Sequence, residues 1–239
     1  MNLPRNPHAA AGFSLVEMAV VLVIFALLAG GMMVSLSTQQ EIQRLSEARR
    51  QLSDIREALI GYAVANGRLP PPANPAIASG TAGAGEMVEG LTMGVLPWAT
   101  LGLPETDPWG QRFTYRLRSE FADAIANATV PSCAPDTTPP APTQASFALC
   151  SKGNITITDG AANIATNLPA IVISHGRNGL GGYRSTGVQA AGALGDEAEN
   201  ADNDANFVAR TQTQDFDDEA IWIPLPILMS RMIAAGRLP

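Results

Sequence analysis

Gly12-Phe13-Ser14-Leu15-Val16-Glu17, followed by MAVVLVIFALLAGGMMVSL over residues 18–36, is the stretch on which the reading of this chain turns. From Met18 to Leu36 there are 19 residues without a charged side chain, enough for a helix to cross a bilayer. The first twelve residues are polar, carry a positive charge at Arg5 and end in Ala9-Ala10-Ala11-Gly12. An ordinary secretory signal has a shorter apolar core, with its small-residue cleavage site after that core. Here the apolar run is longer and the small-residue site comes first. Glu17 is the residue out of place. A carboxylate at mid-bilayer depth costs roughly 2.5–3.5 kcal/mol, less near an interface, and an ionisable group in such a segment calls for a partner.

The run Gly12-Phe13-Ser14-Leu15-Val16-Glu17 resembles the prepilin motif of type IV pilins and type II secretion pseudopilins. The resemblance implies that prepilin peptidase cuts between Gly12 and Phe13 and N-methylates Phe13. It also implies that Glu17, then fifth in the mature chain, pairs with the N-terminal amine of a neighbouring subunit. The physics agrees, because an amine and a carboxylate buried together neutralise each other, whereas either alone is expensive. The positive-inside rule adds little, since Arg5 precedes the span while Arg44, Arg49 and Arg50 follow it.

Beyond the span the helical pattern continues. Ile42, Leu45, Leu52, Ile55, Leu59 and Tyr62 recur at steps of three, four and seven, with charged residues between them. This predicts a nearly continuous helix from about Phe13 to Ala65, ended by Asn66-Gly67 and by Pro70-Pro71-Pro72. Gly30-Gly31 interrupts its first half, as a weak point or a close-packing site. The expected fold is α+β: a long N-terminal helix packed on a small antiparallel sheet, with long loops and a short C-terminal helix. The expected organisation is a leader over 1–12, a membrane-spanning half-helix over 13–36, an amphipathic stem over 37–66 and a periplasmic globular domain over 67–239.

Within that domain residues 69–94 read as an irregular loop rich in Pro, Ala and Gly. Asp107-Pro108-Trp109-Gly110 has the residues of a turn in order. After it Phe113, Tyr115 and Leu117 alternate with Arg112, Thr114, Arg116 and Arg118, the pattern of a strand with its arginines turned to water. Phe147-Ala148-Leu149-Cys150 and Ile155-Thr156-Ile157-Thr158 read as a hairpin, and 168–174 as a buried strand. Pro226 to Gly236 reads as a short amphipathic helix. The helix end at Asn66-Gly67, the later Asp107-Pro108-Trp109-Gly110 and the strand after it resemble the middle of major pseudopilins of type II secretion.

That second resemblance extends to the C-terminal third. The segment from Ser174-His175-Gly176-Arg177-Asn178-Gly179, together with Asp215-Phe216-Asp217-Asp218-Glu219 before an apolar strand, resembles the calcium loop of major pseudopilins. It implies a calcium ion, with Asn178 in place of the family's Asp, a carbonyl from His175, and charge from Asp217 and Asp218. Calcium takes six to eight hard oxygens, which these groups suit. An insertion over 183–214 separates the two halves; its acids are expected at the surface. The alternative is a solvated acidic loop without metal.

Other classes are disfavoured. A formal net charge of −7 does not suit a nucleic-acid partner. The two cysteines, Cys133 and Cys150, are too few for a zinc site beside only two histidines. In an oxidising compartment they would close a loop of about 18 residues, worth ~3 kcal/mol; otherwise they stay two thiols. No Ser/His/Asp or Cys/His set suggests an enzyme. The expectation is therefore a non-enzymatic filament subunit, a minor pilin or pseudopilin, with a filament-tip binding module as the alternative. Its partners would be prepilin peptidase, other pilins, the assembly platform protein and ATPase, and the inner membrane. It would sit there as a single-pass protein with a periplasmic C-terminal domain, then join a periplasmic or surface filament.

Overall fold

The computed structural model describes residues 14–125 and 144–238, with residues 29–38 described by backbone alone. The chain divides into two compact units, Met1–Gln43 and Arg44–Pro239. Helix α1 spans Leu15–Asn66 and contributes to both.

In the first unit, α1 is apolar and exposed all round from Leu15 to Leu28. Among the described residues no helix is long and apolar enough to cross a membrane. The run expected to do so, 18–36, continues into residues whose side chains lie outside the described ones.

In the second unit, the predicted stripe on α1 is buried at Leu52, Ile55 and Leu59, joined by Ala48, Ile60 and Ala63. At its end the helix has the carbonyls of Tyr62, Ala63, Val64 and Ala65 engaged, which intrahelical bonds alone leave open. Asn66 Nδ2 donates to Tyr62 O, and Gly67 N–H to Ala63 O. Arg237 Nε donates to Val64 O at 2.9 Å, and its Nη2 to Ala65 O. Gly67 has φ +76, and a Cβ there would strike Gln144 O and Ile125. Only glycine ends the helix this way.

The main sheet has four antiparallel strands in the order β1 (Met93–Val95), β3 (Thr114–Leu117), β6 (Ala170–Ser174), β9 (Glu219–Trp222). Strand β2 (Gln111–Arg112) pairs with β7 (Tyr183–Arg184). Strand β4 (Ile155–Thr158) pairs antiparallel with β5 (Asn163–Leu168) and parallel with β8 (Asn206–Val208). Helices α2 (Trp98–Leu101) and α3 (Asp196–Ala201) are short, and α4 (Leu225–Ala234) is the expected C-terminal helix. The hairpin expected from 147–150 and 155–158 is instead β4–β5; Phe147 is a buried core residue outside any strand.

Strand β6 explains the layering. All five of its residues are buried. Ala170 and Val172 face a core made with Leu52, Ile55 and Leu59 of α1, Tyr115 and Leu117 of β3, and Leu228 and Met232 of α4. Ile171 and Ile173 face a second core with Ile155, Ile157, Leu168 and Phe207. A strand covered on both faces reads as a continuous apolar run, as 168–174 does.

Arg112, expected in solvent, is fully buried. Its Nε donates to Glu105 Oε1 at 2.9 Å. Nη1 donates to the carbonyls of Pro75 and Ile77, each at 2.9 Å. Nη2 donates to Ser79 Oγ at 3.2 Å and Ser185 O at 3.1 Å, and the guanidinium lies 4.6 Å from the Trp98 ring centre. An Arg is buried this way only when its fork is filled. Apart from Glu105 these oxygens lie 33 to 73 residues away, so alternation could not reveal them.

Candidate functional site

The start of α1 is built by Ser14 and Glu17. The Ser14 N–H donates to Glu17 Oε2 and the Glu17 N–H donates to Ser14 Oγ, each at 3.2 Å. This is a reciprocal capping box that satisfies two otherwise free donors. Glu17, expected to await a partner, has one in its own first turn, because Ser-x-x-Glu is itself a helix-start signal. Glu17 is exposed, on an exposed apolar helix. Gly12 and Phe13 lie outside the described residues, as does Cys133, so the cleavage site and the disulfide are not described by the structure.

A second cluster lies at the end of the main sheet. Strands β6 and β9 are antiparallel with Ser174 opposite Glu219. The residues leaving β6 therefore face those entering β9, which brings His175 to Asn178 against Asp217 and Asp218. Gly176 sits at φ +59, and a Cβ there would collide with the Asp217 carbonyl and carboxylate. The Asn178 N–H donates to Asp217 Oδ2 at 3.0 Å.

The third member comes from the insertion. Glu197, on α3, joins Asp217 and Asp218, with one carboxylate oxygen from each within 4.8 Å of the others. Glu197 and Asp218 are each 3% exposed. The insertion's acids were expected at the surface; Asp202 and Asp204 are there, but Glu197 is not. Nothing local in Gly195-Asp196-Glu197 signals this, because what buries Glu197 is a fold-back of α3 onto the sheet end.

Each acid is held by a named donor. Asn178 Nδ2 donates to Glu197 Oε1 at 2.7 Å, and the Asp217 N–H to the same oxygen at 3.3 Å. Asn200 Nδ2 donates to Asp218 Oδ2 at 2.8 Å. Asp217 Oδ1 and Asp218 Oδ1 are buried and have no hydrogen-bond partner among the described residues. Burial, then the neighbouring Glu197 and Asp218 charges, push the Asp217 carboxyl above the usual range. Among the described residues no Lys or Arg pairs with any of the three: Arg210 is taken by Asp196 and Arg49 by Glu219. Three gathered carboxylates with buried oxygens that make no hydrogen bond, no Lys or Arg pairing with them among the described residues and only His175 Nδ1 behind Asp218 at 3.6 Å, are a donor set that fits a hard cation.

The expected ligands divide. Asp217 and Asp218 are in the cluster. Asn178 is adjacent, but its Oδ1 accepts the Leu180 N–H at 2.8 Å, so its amide shapes the loop. The His175 carbonyl accepts the Gly179 N–H at 3.0 Å. The His175 ring lies behind the cluster, Nδ1 3.6 Å from Asp218 Oδ1 and Nε2 2.8 Å from Thr114 Oγ1. Ser174 Oγ turns away to donate to Asp107 Oδ2 at 2.7 Å. A cleft of about 460 Å³, lined by Leu194, Asp196, Glu197, Arg210 and Asp215, opens beside the cluster.

Residues 7–33 match the family described as the prokaryotic N-terminal methylation motif. No curated protein and no solved structure matches the chain. The motif is the signature of type IV pilins and pseudopilins, and it indicates a type IV pilin-like protein processed by prepilin peptidase.

Proposed function

We propose that this bearer of the N-terminal methylation motif is a structural filament subunit, a minor pilin or pseudopilin of a type IV pilus or a type II secretion system. The observation that carries the reading is the motif match over 7–33, set on a helix that is apolar and exposed all round from Leu15 to Leu28. Such a surface must be covered by lipid before assembly and by neighbouring helices after it. Cleavage after Gly12 frees the Phe13 amine, which is methylated. Glu17 then gives up its capping partners for the amine of a neighbouring subunit. The chain performs no chemistry of its own. It is held in the inner membrane, with its larger unit in the periplasm, until the platform protein and ATPase extract it.

The larger unit carries a calcium site, built on Asp217 and Asp218. Bound there, the ion supplies two positive charges among three carboxylates. His175 and Asn200 fix Asp218 from behind, and Asn178 fixes the loop. Filament-tip binding is the second reading, favoured by the cleft beside this cluster and by the length of the insertion.

The test is the mass of the N-terminal peptide from membranes of the native host, with and without active prepilin peptidase. A chain that begins at methylated Phe13 only when the peptidase works is the expected result. An intact Met1, or a cut after the apolar run, overturns the reading.

A further inference from the structure

The segment 183–205 contains no buried apolar side chain; its two buried side chains are Glu197 and Asn200. Both point at the acidic cluster. Glu197 joins Asp217 and Asp218, and Asn200 donates to Asp218 Oδ2 at 2.8 Å. Asn200 also donates to Val208 O at 3.0 Å and accepts the Val208 N–H at 2.8 Å, which ties α3 to β8. The strand that follows is anchored differently, by Phe207 in the second core. Stable docking of a segment needs apolar burial or strong specific contacts to offset its ordering entropy. The start of the segment is held independently, by Tyr183 against Ala73, Val95 and Trp98 and by the pairing of β7 with β2; at α3 the apolar term is missing, and what stands in its place is a cluster of like charges. Without a counter-charge Glu197 is repelled by the carboxylates it must approach. The side chain of Asp218 is fully buried, its Oδ1 making no hydrogen bond and having His175 Nδ1 at 3.6 Å behind it, while the buried Asp217 Oδ1 has no hydrogen-bond partner among the described residues and is left to whatever fills the cluster.

We propose that Glu197 is itself a ligand of the cation, and that occupancy of the site is what docks α3 onto the end of the sheet. The inference rests on the cation reading given above and adds a residue and a consequence to it. The cation joins three stretches remote in sequence: the loop after β6, the entry to β9, and α3. Emptied, the site releases α3 together with the exposed Leu194 and the wall of the cleft that Asp196 and Glu197 form, while β6, β9 and the two cores stay folded. Occupancy thus decides whether the cleft exists.

Hydrogen exchange on the full chain in detergent micelles tests this, with 5 mM calcium or with chelator, alongside calorimetric titration of calcium into the wild type and into Glu197→Gln. The expected result is an exchange rate for α3 amides at least about 10-fold faster in chelator, with β6 and β9 unchanged. Glu197→Gln is expected to bind calcium at least about 10-fold more weakly, and its α3 exchange to become insensitive to calcium. If the wild type binds no calcium, the cation reading and this inference fall together. If the wild type binds calcium but Glu197→Gln binds it equally well, or α3 exchange ignores chelation, this inference falls and the cation reading stands. The chelation arm uses the unaltered chain, so it does not depend on any variant folding.

Discussion

Replacing Arg112 with methionine should cost this protein a large part of its stability. Methionine keeps most of the stem's volume and removes the guanidinium. Five acceptors then lose a donor: Glu105 Oε1, the carbonyls of Pro75, Ile77 and Ser185, and Ser79 Oγ, of which Glu105 Oε1 and Ser185 O keep a donor in Ser79. Breaking one partner of a buried pair costs ~3–5 kcal/mol. Water can reach Ile77, Ser185 and the partly exposed Glu105, which moves the value toward the lower end. Loss of the contact with the Trp98 ring, worth up to ~2 kcal/mol when desolvated, moves it back. The expected net loss is about 4 kcal/mol. At ~2–4 °C per kcal/mol for a unit of this size, the melting temperature falls by about 8–16 °C. Thermal melts of the full chain in micelles, followed by circular dichroism, read this directly. Arg112→Lys keeps the charge but not the planar fork, and should recover less than half of the loss. A drop of less than about 3 °C for the methionine variant, or a lysine variant as stable as wild type, would refute the view that this fork ties the loops together.

Ser14→Ala removes half of the capping box and costs about 1 kcal/mol of local helix stability. Seen as faster exchange in the first turn of α1, it should leave filament incorporation intact, whereas Glu17→Ala should abolish incorporation with the globular unit's melting unchanged. Gly176→Ala forces a Cβ against Asp217 at a positive φ, and calorimetry should show calcium binding weakened at least about 10-fold. Arg237→Ala leaves the Val64 and Ala65 carbonyls without their donor; a loss of about 1–2 kcal/mol and a melting drop of roughly 2–8 °C are expected. Burial holds the Asp107 carboxyl above its ordinary value, against the hydrogen bonds from Ser174 and the backbone of Gln111 and Trp109. The folded state therefore binds the proton more tightly than the unfolded one, so this group's contribution rises as pH falls through the raised pKa and levels off below the unfolded value. Denaturant titrations should show wild type gaining stability over Asp107→Asn as pH is lowered; a difference flat with pH would contradict this.

What could be read from the residues follows a physical line. Elements whose cause is local were legible. Gly67 ends α1, Asp107-Pro108-Trp109-Gly110 turns with the Gly110 N–H donating to Asp107 O, and the continuous apolar run became the doubly covered β6. The helix stripe held from Ala48 on, while Ile42 is exposed in the first unit. Elements whose cause is remote were not legible. Arg112 is buried because oxygens 33 to 73 residues away fill its fork, beside Glu105. Strand β4 takes β8 as a parallel partner across the insertion, which no hairpin rule anticipates. At the acidic site it was the resemblance to the calcium loop that pointed to Asp217 and Asp218, whose carboxylates lie together with that of Glu197. Glu197 was missed because only the folding back of α3 gives it neighbours.

The capping box at Ser14 and Glu17 changes the accounting of assembly. In the isolated chain the Glu17 carboxylate is already engaged by a backbone N–H of its own helix. In the proposed filament, joining is then an exchange of partners and not the capture of an idle charge, and the first turn of α1 gives up about as much as a cap is worth, ~1 kcal/mol. Reactions of that kind run close to balance. A subunit that leaves the filament reseals its own helix end, so withdrawal is aided by the same two residues that delay entry.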